Sequence, residues 1–285
     1  MPVVTNSYEF SFAGLSFGGA GSPYQILSVD GLEGLPGIRN QDDNRGFNDG
    51  MFSGRDFLGG RMISITFQTF GSGATSAQTN FNTLQAKLLP QTSGTTPLYF
   101  ILPPSGEQFI NARVRALRTS VDPNYTYGMI TAQVEFFCPD PDYFDSTLQT
   151  ASLVLGGSLG RVYNRTYNLV YNSGAGLPSA TVTNNGWATA YPTITFNGPI
   201  TNAIVGNSTQ GLYLFFNATF TNTDSVVVDL YNKLVTLNGN PARNLLLGTS
   251  NWFSAPPGVN QFYFSGSGTL AGTTGGTVTW RNAYI

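Results

Sequence analysis

Period-two alternation, repeatedly cut short by glycine and proline, restricts this chain more than any other feature. In MISITFQTF, Ile63, Ile65 and Phe67 point to one side and Ser64, Thr66 and Gln68 to the other. INARVRALR repeats the pattern, with Ile110, Ala112, Val114 and Ala116 inward and Asn111, Arg113 and Arg115 outward. MITAQVEFF places Ile130, Ala132, Val134 and Phe136 on one face, and YFIL (99–102) reads as a further short strand. One polar face per strand points to antiparallel sheets with one side buried. A single helix interrupts them. In SAQTNFNTLQAKLL, Ala77, Phe81, Leu84 and Leu88 recur at helical spacing, with Thr75 or Ser76 as N-cap and Pro90 beyond the end. That predicts a helix near 75–89, packed on the sheet by one apolar stripe.

The second half is strand and turn throughout: PTITF, LYLFFNATF, SVVVDL, KLVTLNG, NQFYFSG and TVTW, each bounded by Asn, Gly or Pro. VVVDLYNKLVTLNG predicts a hairpin turning near Tyr231 and Asn232, with a loop longer than two residues. Regular spacing without a helical period indicates a β-sandwich. Charge divides the chain in the same way. Residues 1–148 hold eight basic and thirteen acidic side chains, whereas 149–285 hold five and two. The proline-stiffened CPDPDYFDST (138–147) is the expected joint, giving domains 1–148 and 149–285.

Several chemistries are excluded or weakened. The chain has no histidine, which removes Ser-His-Asp, Cys-His and His-ligated metal sites. A net charge of −2 offers no footprint for nucleic acid or an anionic membrane. Cys138 stands alone, so an intrachain disulfide cannot form. No signal peptide opens the sequence and no apolar run spans a bilayer, so a soluble protein made in a cytoplasm is expected. GSGATS lacks the third glycine and the acidic partner of a dinucleotide fingerprint and reads as a hinge before the helix. GGSLG (156–160) satisfies G-x-S-x-G but has no histidine base to serve it. Asp140, Asp142 and Asp145 cluster, yet the central glycine and final glutamate of a calcium loop are missing, so a capped, solvated linker is expected there. No cofactor or metal is expected.

What remains is a concentration of charge. Only 10% of the chain is charged, yet RNQDDNRGFNDGMFSGRDFLGGR (39–61) holds Arg39, Asp42, Asp43, Arg45, Asp49, Arg55, Asp56 and Arg61. Together with its flanks, from GLEGLPGIR to GGRMISITF, it resembles the ring-domain signature of distal tail (Dit-like) proteins of long-tailed, non-contractile bacteriophages. The G-x-D-x-x-G-x-R element of that signature is Gly54, Asp56, Gly59 and Arg61, and CPDPDYFD is similar to the family's domain-closing segment. In the second half, NNGWATAYPTITFNGPITNAIV, VVVDLYNKLVTLNGNPARN, WFSAPPGVNQFYFSGSG and TVTWRNAYI are similar, in order, to the family's C-terminal domain. The likeness is strongest to minor tail proteins of actinobacterial phages.

The resemblance implies a structural virion protein of mainly β fold. Its N-terminal domain would be a ring-forming (belt) β-sandwich with one helix, and its C-terminal domain a galectin-like β-sandwich. It implies a homo-hexameric ring at the tail tip, partnered by the tail tube protein and the tail-associated hub protein. The tape measure protein and peripheral receptor-binding proteins are further candidate partners.

A closed ring needs two different, complementary surfaces on each subunit. The eight residues of the charged loop are the candidate set, because arginine forks bind carboxylates bidentately across an interface. Arg113, Arg115 and Arg118 form a second cationic patch, expected first to face solvent or pair with Glu135, with the ring lumen or the next ring as alternatives. Two other functions compete. One is a carbohydrate-binding module using Trp187, Tyr191, Trp252 and Trp280 as a stacking platform. The other is a wall hydrolase built on Asp140, Asp142 and Asp145.

Overall fold

The computed structural model describes residues 3–120, 122–156, 179–267 and 275–285. The chain divides into two compact units, Met1–Ser146 with Ile285, and Thr147–Tyr284. Of the GGSLG motif only Gly156 lies within the described residues.

In the first unit the strands are β1 (Phe10–Phe12), β2 (Leu15–Phe17), β3 (Tyr24–Asp30), four two-residue strands β4 (Ile38–Arg39), β5 (Asp43–Asn44), β6 (Met51–Phe52) and β7 (Phe57–Leu58), then β8 (Arg61–Phe70), β9 (Thr96–Ile101), β10 (Glu107–Ser120), β11 (Met129–Cys138) and β12 (Tyr143–Asp145). The antiparallel order is β2-β1-β9-β10-β11-β8-β3, with β12 beside β10. The bend lies in β10. Glu107–Ala112 pair with β9, whereas Arg113–Ser120 pair with β11, so this one strand serves both layers. Folding back at β10 brings Phe12 to 4.8 Å from Phe136 and Phe17 to 5.2 Å from Phe67, ring to ring across the core. Alternation along β8 and β11 is as the sequence predicts: Ile63, Ile65, Phe67, Ile130, Ala132, Val134 and Phe136 are all buried.

β10 departs from the expected register. A bulge between Val114 and Ala116 inserts Arg115, so Ala116 is only half-buried and Leu117 packs against the core in its place. Helix α1 (Ala74–Lys87) buries Ala77, Phe81 and Leu84, and Leu88 just past its end is buried as well. Its N-cap is Gly73 rather than Thr75 or Ser76, and no side chain caps it. Gly71 explains the early start: a Cβ there would lie 2.2 Å from the Ala77 amide nitrogen, so the helix begins hard against the end of β8.

The second unit stacks two sheets. One runs β13 (Gln149–Leu153), β24 (Gly276–Trp280), β16 (Thr193–Asn197), β20 (Ser225–Asp229), β21 (Leu234–Leu237), β22 (Asn240–Pro241). The other runs β14 (Leu155–Gly156), β23 (Gly258–Ser267), β17 (Ile200–Asn207), β18 (Leu212–Phe215), with β15 (Ser179–Asn184) on β23 and β19 (Thr219–Phe220) on β17. Phe196 of the first sheet meets Phe264 of the second at 5.1 Å and Phe216 and Phe220 at 5.3 and 5.6 Å. The β20–β21 hairpin turns through residues 230–233, and the Asp229 carboxylate accepts from the Tyr231 and Asn232 amides.

With little charge available, buried asparagines fix this unit's loops. Asn184 donates to the Ala188 and Ala255 carbonyls at 2.7 and 3.0 Å. Asn207 donates to Ser254 O and Asn260 Oδ1 and accepts from the Thr209 amide. Truncating a fully bonded buried amide strands its partners. Asn207→Ala is therefore expected to cost about 2 kcal/mol in urea unfolding, against less than about 0.5 for exposed Asn185→Ala. Equal melting of the two variants would show that the staple is dispensable.

Candidate functional site

The charged stretch is an arm. β4 pairs with β7 (Ile38↔Leu58, Arg39↔Phe57) and β5 with β6 (Asp43↔Phe52, Asn44↔Met51), giving two short ribbons in series on one hairpin path. Between the ribbons the strands close tightly: a Cβ on Gly54 would lie 2.0 Å from the Gln41 carbonyl oxygen, and Asp42 Oδ1 accepts from the Gly54 amide at 2.8 Å. Every residue from Gly37 to Asp56 is exposed, and Phe47 at the tip is completely so, at 103%. Leu35, Ile38, Met51 and Phe52 are exposed with it. Exposed apolar side chains gathered on one projecting element mark an interaction surface.

Charges on the arm do not neutralise one another. No arginine–aspartate ion pair forms within it. Instead Arg39 and Arg55 lie over Phe57, at 5.5 and 5.1 Å, and Arg45 lies over Phe52 at 5.3 Å. Cation–π stacking at such sites is worth about 0.5–1 kcal/mol and leaves the guanidinium edges free to bond elsewhere. Asp43 bonds only its neighbour's amide.

Arg61, grouped by sequence with the candidate subunit-contact residues of the loop, is different. It is 2% exposed. Its Nη1 donates to the carbonyls of Gly31, Leu32 and Gly34 at 3.1, 2.5 and 2.8 Å, and its Nε donates to Pro141 O at 3.3 Å. A guanidinium buried against its own chain's carbonyls presents no exposed edge to a neighbour. It ties the strand leaving the arm to the segment entering it and so fixes the arm's root. Gly31 permits this: its φ is 79°, and a Cβ would lie 2.0 Å from the Met62 carbonyl oxygen. Nothing local in G-x-D-x-x-G-x-R announced the burial; the signal was that this arginine opens an alternating strand on its inward phase.

The acidic cluster, expected as a solvated linker, is instead half-buried. Burial first, and then the charge of Asp140, push the Asp142 carboxyl up to about 6, against the opposing pull of Arg61. Burial also pushes the Cys138 thiol up to about 12. Asp145 accepts from Gln108 Nε2 at 3.4 Å. Among the described residues, no three acidic or cysteine groups converge as a metal site would require. In the second cationic patch the three arginines diverge: Arg118 forms an ion pair with Glu135, Arg115 stacks on Phe137 at 4.6 Å, and Arg113 reaches the Gln91 carbonyl at 3.5 Å. The aromatic platform also divides. Trp280 is buried and donates to Thr183 O, Trp252 lies beneath Arg243, and Trp187 and Tyr191 are exposed.

Two outcomes follow from the root. Arg61→Ala should lower unfolding stability by about 3 kcal/mol, since four carbonyls lose a charged donor, while Arg55→Ala should stay within about 1. Asp142 titrates higher folded than its ordinary value of about 4, so the stability it supports is complete below that value and is lost as pH rises through about 6. Urea titrations of Asp142→Asn and the parent should therefore diverge in the variant's favour across that window and run parallel above it.

Comparison with known proteins agrees with this architecture. Residues 185–284 match the model of the siphovirus-type tail component, C-terminal domain. No curated protein sequence matches the chain. Among solved structures, the crystal structure of phage SPP1 Dit, a paradigm of the hub adsorption apparatus in phages infecting Gram-positive bacteria, aligns over 98% of this chain and 100% of its own at TM-score 0.70 and 16% identity. The phage P2 baseplate in its activated conformation aligns in its calcium form at TM-score 0.52 and 10% identity, covering 99% of both chains. Its strontium form aligns at 0.50 and 11%, covering 98% of both. Residues 185–284 thus match the siphovirus-type tail component, C-terminal domain, by sequence, and the chain as a whole carries a fold similar to that of SPP1 Dit.

Proposed function

We propose that this chain is a structural subunit of the phage tail tip, six copies of which close into a ring joining the tail tube protein to the tail-associated hub protein. The observation that carries the reading is the arm: a projecting ribbon whose apolar side chains are exposed and whose arginines and aspartates form no ion pair with one another. Residues 1–148 form the ring in this reading, and residues 149–285 attach peripheral host-recognition proteins. Arg39, Asp42, Asp43, Arg45, Asp49, Arg55 and Asp56 then make the subunit contact, and Arg61 positions them from inside. A ring of head-to-tail contacts needs a donor surface and a different acceptor surface on every copy. The role is architectural and involves no turnover.

A second reading, saccharide binding by the C-terminal unit, draws on the exposed rings of Trp187, Tyr191 and Tyr231. Quenching of tryptophan fluorescence by host-wall glycans, abolished in Trp187→Ala, would favour it.

Mass photometry with negative-stain imaging across a concentration series tests the ring. Hexamer-sized annular particles are expected, with Arg45→Ala/Arg55→Ala raising the concentration required about tenfold. A double variant that assembles like its parent removes the arm as the clasp. A chain that stays monomeric even when mixed with its tube and hub partners removes the ring itself.

A further inference from the structure

The ring reading leaves the acceptor surface for the arm unassigned. We propose that it is the groove beside β3 in the N-terminal unit, and that its occupant is the arm tip of a second copy of this chain. The inference rests on the ring reading, and the experiment below separates the two.

β3 is an end strand. It pairs with β8 on one side and with no described strand on the other. The outward amides and carbonyls of such an edge are open to an added strand. A bulge between Ile26 and Ser28 turns Leu27 outward, 55% exposed. Along this edge runs a groove of about 600 Å³ whose lining includes Tyr8, Ile26, Leu27 and Val29, and whose far end carries Asp30 and Glu33. Both carboxylates are exposed, and neither has an ion-pair partner among the described residues.

The arm tip carries the matching chemistry. Phe47 offers a fully exposed ring for the apolar stretch, and Arg45, stacked on Phe52 between Asp43 and Asp49, is the one cation of the tip and offers its guanidinium edge to the acidic end. The same pairing cannot be made within one chain without unmaking the arm. The arm departs just after Glu33, and at strand rise its tip lies on the order of 30 Å from the root. Each copy therefore presents a groove at the root and a key at the tip. Tip into groove is a heterologous contact: a joined pair still has one free tip and one free groove, which is the condition for closure into a ring.

Cysteine pairing tests this in the full-length chain. Cys138 is the sole native cysteine and is buried, so background cross-linking is low. Leu27→Cys and Phe47→Cys are made separately, mixed at assembling concentration and oxidised. A disulfide-linked dimer is expected from the mixture and from neither variant alone, and a ladder of higher species from the double variant. Charge reversal supplies the second measurement: Asp30→Arg/Glu33→Arg should raise the assembly concentration at least about tenfold, and adding Arg45→Glu should restore it to within about threefold. Urea melts matching the parent show that each variant is folded. Annular particles without the 27–47 cross-link, or without charge rescue, overturn the groove as acceptor while the ring stands. Cross-linked chains that never close uphold the groove and overturn the ring. Absence of both overturns both.

Discussion

The Arg61 guanidinium is the interaction on which the rest of the N-terminal unit's functional geometry depends. It is buried at the point where the chain returns from the arm, and it grips the carbonyls of Gly31, Leu32 and Gly34 where the chain sets out. Holding both ends of a long excursion removes most of the freedom that would let the arm lie down on its own surface. Gly31 is part of the same device, since only a residue without Cβ, in the left-handed region, lets this segment approach β8 so closely. The site is not fully satisfied: Nη2 has no hydrogen-bond partner, burial pulls the guanidinium's own affinity for its proton down, and Asp142 is pushed up beside it. Such a root is costly to bury, which is consistent with it serving position as well as stability.

Around that root the molecule is built with unusual economy of charge. The N-terminal unit closes its core by bending one sheet at β10, so that phenylalanines of β1 and β2 meet those of β11 and β8. The C-terminal unit closes its core between two sheets through Phe196 and its neighbours. Loops that other proteins would pin with ion pairs are pinned here by buried asparagines, whose neutral amides satisfy both donors and acceptors without the desolvation cost of a charge. Charge is thereby left concentrated on the arm and at the acidic end of the β3 groove. A nearly neutral chain whose exposed charge is gathered at a few places, arginines among them on the arm and carboxylates beside β3, suits a subunit that must join others of its own kind in one orientation.

The divided fate of the eight loop residues shows how far sequence reading reaches. Their concentration was visible at once, and seven of them do lie on an exposed element. That the element is a pair of ribbons was not visible, because four two-residue strands carry no period long enough to detect. The separation of Arg61 from the others required knowing that β8 begins on its inward phase and that a glycine turn thirty residues earlier folds over it. The Phe10–Phe17 hairpin was missed for a related reason: its turn uses Ala13 and Gly14, both at positive φ, and alanine is not a residue that advertises that conformation.

Sequence alone settled the mainly β class, the inward faces of β8 and β11, the helix with its apolar stripe, and the absence of histidine chemistry. These depend on residue type and on spacings of two to four positions, which the chain itself specifies. Tertiary structure decided where β10 bulges, which glycine begins α1, which arginine is buried, and which edge strand stays open beside an acidic groove. Those outcomes are set by atoms from distant parts of the chain competing for the same few ångströms, and no local pattern encodes the result of that competition.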